Sequence, residues 1–149
     1  MRDVVKKLRV LVLRKKGLSY SEIGRMLGVS KQNVHSIEKR ARRKYEECKL
    51  LFQLYNWAFA KDCIILSRGS NLMEAVNKLF SKADELKVKL PGTLNDIIAY
   101  VKVRSLLDSD ILNRDLGICI MENGSLEILD EEAIDFLRQS KLIDEEGKN

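Results

Sequence analysis

The stretch Leu18–Lys44, LSYSEIGRMLGVSKQNVHSIEKRARRK, decides how the chain is read. It holds two short amphipathic helical patterns separated by Leu27-Gly28-Val29-Ser30. In the first, from about Tyr20 to Leu27, Ile23, Met26 and Leu27 recur at the three- and four-residue spacings that line one helical face. In the second, Val34, Ile37 and Ala41 form the inward stripe. Gly28 falls where the chain must turn sharply, because glycine enters left-handed backbone without a Cβ clash. Ser19 or Ser21 is placed to cap the first helix, and the Ser30 hydroxyl to accept a free amide from the first turn of the second. This is the layout of a helix-turn-helix.

The outer face of the second helix carries Lys31, Gln32, Asn33, His35, Ser36, Lys39 and Arg40. In a helix-turn-helix the N-terminal residues of the second helix reach base edges in the major groove, and Asn, Gln and Lys supply suitable donors and acceptors. Lys31, Gln32, Asn33, His35 and Ser36 are therefore the candidate base contacts. Ser21, Arg25, Ser30, Lys39, Arg40, Arg42, Arg43 and Lys44 are the candidate phosphate contacts, which fix register without reading sequence. An Arg/Lys run alone is more often a solvated face. Its meaning here comes from its agreement with the turn, the caps and the buried spacing.

The stretch VSKQNVHSIEKRARRKYEE, Val29–Glu47, resembles the recognition helix of the Tfx-type archaeal transcriptional regulators. In that family a helix-turn-helix like that of sigma region four precedes a small C-terminal domain. ADELKVKL from Ala83, TLNDIIAYV from Thr93 and LGICIMENGSLEIL from Leu116 follow in the family's order, so the resemblance runs to about Leu129. It implies a sequence-specific regulator of transcription acting on double-stranded DNA.

Charge divides the chain unevenly. Residues 1–50 carry 15 Lys/Arg against 5 Asp/Glu, a net of +10, and the remainder 12 against 17, a net of −5, within the total of +5. The basic part suits a polyanion, and the acidic remainder is expected to face away from DNA and bind something else or itself. With 149 residues and 45% hydrophobic content the chain makes one ordinary domain or two small ones. No apolar run reaches bilayer length and the N-terminus lacks a signal-peptide pattern, so a cytoplasmic location is expected. Cys48, Cys63 and Cys119 are odd in number, widely spaced and without a CxxC pair, so they are expected to be buried apolar thiols.

Around the motif, Val4 to about Lys16 is expected to be a supporting helix with Val5, Leu8, Leu11 and Val12 inward. No Gly or Pro interrupts Tyr45 to Asp62, so a long helix should join two domains. Its aromatic residues Phe52, Tyr55, Trp57 and Phe59 fit packing against the C-terminal domain or against a second subunit. Beyond it the sequence suggests a strand at Cys63–Leu66, a helix at Leu72–Leu86, a second strand at Val88–Leu90 and a helix from the Thr93/Asp96 capping box to Leu107. A hairpin turning at Asn123-Gly124 and an acidic helix from Glu131 to about Leu142 follow. The fold class is α+β, an N-terminal three-helix helix-turn-helix joined by a long helix to a small α/β C-terminal domain. The expected division is 1–44 for DNA binding, 45–62 as connecting helix, 63–142 as regulatory or dimerisation domain, and 143–149 as a mobile polar tail.

The turn Arg68-Gly69-Ser70, between a strand and a helix, could hold an anionic effector on free amides. No phosphate loop, GxGxxG, HExxH or Ser/His/Asp set is present, and the sole histidine lies on the recognition helix. The chain therefore reads as a non-enzyme without cofactor or metal. Its expected partners are double-stranded DNA, a second copy in a homodimer and the basal transcription machinery. The competing readings are a general initiation module recruited to polymerase, and a helix-turn-helix that serves as a protein-interaction or ligand-binding surface.

Overall fold

The computed structural model of the chain describes residues 1–148. Backbone contacts divide it into two compact units, Met1–Lys49 and Leu50–Asn149. None of its described helices is long and apolar enough to cross a membrane.

The first unit contains α1 (Arg2–Lys15), α2 (Tyr20–Leu27) and the beginning of α3 (Lys31–Phe59). Ser19, rather than Ser21, starts α2. Its Oγ accepts the Glu22 amide at 3.1 Å and the Glu22 carboxylate accepts the Ser19 amide at 2.6 Å, a reciprocal capping box. Gly28 ends α2 at φ 67, ψ 33, the left-handed conformation expected of it. Ser30 Oγ then accepts the Asn33 amide at 3.1 Å and caps α3. Gly24 has a role the sequence reading missed: it is buried, and a Cβ there would lie 2.7 Å from the Val29 carbonyl. Only a residue without a side chain lets α2 approach the turn this closely.

Val10, Ile23, Val34 and Ile37 form the core of this unit, with Leu13, Leu18, Tyr20, Leu27 and Val29 packed around them. The expected inward stripe of α1 is thus corrected. Val5, Leu8 and Val12 are exposed, and Val10 with Leu13 faces the core. The inward side of α1 carries Val10 and Leu13, and Arg14 beside them reaches a buried carboxylate. That carboxylate is Glu38 of α3, whose Oε1 accepts from Arg42 Nη2 at 2.8 Å and whose Oε2 lies 3.5 Å from Arg14 Nε. The Tyr20 hydroxyl is the main influence holding the Glu38 carboxyl below its ordinary range, with Arg42 next, while burial works against both. The same contact pushes the Tyr20 phenol up. The Arg14 guanidinium carbon also sits 4.2 Å from the Tyr20 ring centroid. One buried acid therefore joins side chains from all three helices.

The second unit adds β1 (Asp62–Leu66), α4 (Leu72–Glu85), α5 (Leu94–Ser105), β2 (Leu116–Ile120), β3 (Leu126–Leu129) and α6 (Glu131–Gln139). The three strands form an antiparallel sheet in the order β1-β2-β3. Leu116, Ile118 and Ile120 face a core with Leu72, Val76 and Leu79 of α4 and Ile97 and Val101 of α5. Cys119 and Leu129 face the opposite side, against Ala133, Ile134 and Leu137 of α6 and Leu50, Leu54 and Trp57 of α3. Every residue of β2 is consequently buried, as expected of a central strand covered on both faces. Gln53 of α3 locks this side. Its Nε2 donates to Asp130 Oδ2 at 2.9 Å and its Oε1 accepts the Asp130 amide at 2.7 Å, while Asp130 caps α6.

Three further expectations are corrected. Val88–Leu90 is not a strand: the Val88 amide closes the end of α4 by donating to the Ala83 carbonyl at 2.9 Å, and Lys87 turns the chain at φ 56. Cys63 and Cys119 are not free thiols. They stand directly opposite each other in the β1/β2 register and form a disulfide, and Cys48 is exposed rather than buried. The tail is folded back through residue 148. Ile143 is buried, the Lys148 amide donates to Asp144 Oδ1 at 2.7 Å, and Gly147 lies so close to Ile65 that a Cβ would come within 2.4 Å of its side chain. Asn149 lies outside the described residues.

Two outcomes are expected. Glu38→Gln should cost about 2–3 kcal/mol at neutral pH in urea unfolding, less than the cost of about 3–5 kcal/mol for breaking a fully buried pair, because Arg42 is largely exposed. The folded carboxyl titrates below its ordinary value of 4.5, so its contribution is complete above that pH and is lost as pH falls through the folded value. The wild type and the variant should thus converge in acid. Separately, peptide mapping without reductant should find one intrachain bridge. Because that bridge closes a loop with a sequence separation of 56, reduction or Cys63→Ser should lower stability by about 2–4 kcal/mol.

Candidate nucleic-acid interface

The first part of α3 has one face for the core and one for solvent. Val34, Ile37, Glu38 and Ala41 are buried, whereas Lys31, Gln32, His35, Ser36, Lys39 and Arg40 are exposed and Asn33 is half-buried. The five candidate base contacts therefore occupy the first turns of one helix. The His35 ring meets the Tyr20 ring edge-on at 5.3 Å, which orients the imidazole against α2. The first turn of α3 carries no acid, so the positive end of the helix dipole is not neutralised from within the turn.

Ser21, Arg25, Ser30 and Lys31 come together around one open groove, whose remaining walls are Gly24, Gly28 and Val29. Three of the candidate phosphate contacts thus share a surface with the start of α3. The Ser30 oxygen already accepts the Asn33 amide, which leaves its hydroxyl proton to donate to an anion.

The later basic residues are less free. Arg42 is held by Glu38 at 2.8 Å, and Arg43 and Lys44 both lie near Glu47, at 3.3 and 3.4 Å. Arg25, Lys31 and Lys39 form no ion pair among the described residues. Arg42 is thus part of the scaffold as well as of the basic surface. The residues that position the helix, Gly24, Arg14, Tyr20 and Glu38, were not among the candidates. Glu38 left a signal: it is the only acid between Lys31 and Lys44, and it falls on the buried spacing of Val34, Ile37 and Ala41.

The Arg68-Gly69-Ser70 turn is built differently from the anion cradle expected of it. The Arg68 amide donates to Asp115 Oδ1 at 2.9 Å, Gly69 to the Leu112 carbonyl at 2.8 Å and Ser70 to the Ser67 carbonyl at 3.0 Å. Asn71 Oδ1 takes the Met73 and Glu74 amides of α4, and the Leu72 amide donates to the Asp110 carbonyl. These amides are engaged within the unit and present no donor to an effector. Asp115 instead has a structural role. Arg138 at 2.7 Å, then the Arg68 amide, hold its carboxyl below the usual range and tie this turn to α6.

A family model described as sigma-70, region 4 matches residues 2–44, and one described as the C-terminal part of the DNA-binding protein TFX matches residues 52–128. Proteins provisionally named as transcriptional regulatory proteins show similarity along most of the chain. One from Thermococcus kodakarensis is 35% identical over 121 residues, covering 81% of this chain and 80% of the relative. One from Pyrococcus horikoshii is 35% identical over 123 residues, covering 83% and 86%. One from Methanocaldococcus jannaschii is 32% identical over 123 residues, covering 81% and 90%. With the capped helix-turn-helix already in view, these matches decide the family: the chain belongs to the Tfx-type archaeal DNA-binding transcriptional regulators.

Proposed function

We propose that the protein regulates transcription by inserting the start of α3 into the major groove of a specific operator. The observation that carries this reading is the exposed polar face from Lys31 to Ser36, which follows directly on a left-handed glycine turn and a serine cap. Lys31, Gln32, Asn33, His35 and Ser36 read base edges, and Asn33 and Gln32 carry the amide geometry that pairs with adenine. Ser21, Arg25, Ser30, Lys39, Arg40, Arg42, Arg43 and Lys44 hold the phosphates on either side. The +10 charge of residues 1–50 supplies the nonspecific attraction. Residues 1–44 bind DNA, 45–62 connect, and the C-terminal domain has a regulatory role. The protein works by binding rather than catalysis, and its place is the cytoplasm, where it meets DNA.

The match of residues 2–44 to sigma region four favours a second reading, in which the chain is recruited to the transcription machinery and adds modest DNA affinity of its own. Site selection from a random duplex pool separates the two. Strong enrichment of one sequence, and its loss of affinity on scrambling, is expected of the regulator. Equal binding of enriched and scrambled duplexes would leave the recruited module.

On the selected operator, Gln32→Ala or Asn33→Ala should each cost about 1–3 kcal/mol and relax preference at one base pair. Arg25→Ala should weaken all sequences alike and reduce the slope of affinity against salt by about one. Fluorescence anisotropy at several salt concentrations measures both. A uniform loss in all three variants would refute the division between base and phosphate contacts.

A further inference from the structure

The part of α3 within the second unit is amphipathic in an unusual sense, since both of its faces are apolar. From Leu50 to Phe59 the helix carries no charged side chain. Leu50, Leu54 and Trp57 pack on the sheet and α6, with Gln53 bonded to Asp130. On the other side Leu51, Phe52, Tyr55 and Phe59 are 49, 58, 61 and 76% exposed. Solvated helix faces carry charge, whereas an uncharged face rich in aromatics has the composition of an interface core.

We propose that this face is a homodimer interface, in which α3 of one protomer packs against α3 of a second copy through Leu51, Phe52, Tyr55 and Phe59. Three features select that occupant. Phe52, Tyr55 and Phe59 are spaced by three and then four residues, the spacing of a seam that meets another helix by knobs-into-holes packing. The stripe carries no charge, so a second copy meets it without like-charge repulsion, and it offers no charge by which a charged partner would be recognised or oriented. Three rings that each present about 150–250 Å² when fully counted, more than half exposed here, give with Leu51 about 500 Å² per protomer. The pair then buries about 1,000 Å², the lower bound of a specific protein interface. Tyr55 and Phe59 already stack, with centroids 6.4 Å apart and planes 21° apart, so part of the ordering needed for docking is present in one protomer. The surface lies outside the DNA-reading segment, and dimerisation is measured without DNA, so it stands or falls separately from the operator reading.

The test is sedimentation equilibrium of the full chain over about 1–100 μM, the range in which an interface of this size becomes populated. The wild type should rise to twice the monomer mass. Phe52→Glu and Tyr55→Glu should each weaken association at least about tenfold, as loss of a central aromatic does, while keeping the far-ultraviolet circular dichroism of the wild type. A wild type that stays monomeric throughout overturns the proposal, and so does a dimer that survives both substitutions. Should either glutamate variant misfold, hydroxyl-radical footprinting of the wild type decides. Phe52, Tyr55 and Phe59 should be protected at high concentration relative to low, and equal oxidation at both overturns the interface.

Discussion

A carboxylate taken out of water is costly unless partners are brought to it, and Glu38 makes that cost a constraint on the geometry of the whole DNA-binding unit. Its partners come from three places: Arg14 on α1, Tyr20 at the start of α2 and Arg42 one turn along α3. Apolar packing of Val10, Ile23, Val34 and Ile37 is non-directional and tolerates small rotations of a helix. Arg42 shares α3 with Glu38 and turns with it, whereas Tyr20 and Arg14 belong to other helices, so a rotation of α3 that still buried Val34 and Ile37 would carry the acid away from those two partners. The side of α1 that faces this unit carries Val10, Leu13 and Arg14, and Val5, Leu8 and Val12 are left to solvent. Burial of Glu38 beside Val34 and Ile37 leaves Lys31, Gln32, His35 and Ser36 on the outward side of α3.

Close backbone approach supplies the second constraint. Gly24 lets α2 lie against the turn, Gly28 reverses the chain in left-handed backbone, and Ser30 closes the first turn of α3. Together they bring Ser21, Arg25 and Lys31 to one groove. Backbone caps and a buried acid thus hold the start of α3, while its outward polar side chains take no part in that scaffold.

The second unit obeys a different logic, with a central strand covered on both faces. The α4/α5 side is closed by apolar packing, with Tyr100 donating to the Leu126 carbonyl and Lys82 paired with Asp62, and the other side adds the Gln53–Asp130 pair and the Cys63–Cys119 bridge. Both lie where α3 meets the domain that follows it. The two family matches end at 44 and resume at 52, and the division into compact units falls between them, after Lys49. A single helix, Lys31–Phe59, therefore begins within one family match and ends within the other.

Much of this was legible in the residues themselves. Local rules determined the helix-turn-helix, since glycine conformation, serine caps and helical periodicity act within a few residues of the chain. The Thr93/Asp96 box and the Asn123-Gly124 hairpin were legible for the same reason. The outward polar face of α3 followed from the same spacing that predicted Val34, Ile37 and Ala41 to be buried. What the sequence could not decide depends on partners distant along the chain. Cys63 and Cys119, separated by 56 positions, are paired by strand register. The amides of the Arg68–Ser70 turn are taken by Asp115, Leu112 and Ser67, contacts that no local pattern announces. Val88 lost its place as a strand because its amide closes a helix. Glu38 falls on the buried spacing of α3, but only the tertiary structure brings Arg14 and Tyr20 to it, because local sequence sets which elements form, whereas the partners of a buried group are delivered by folding.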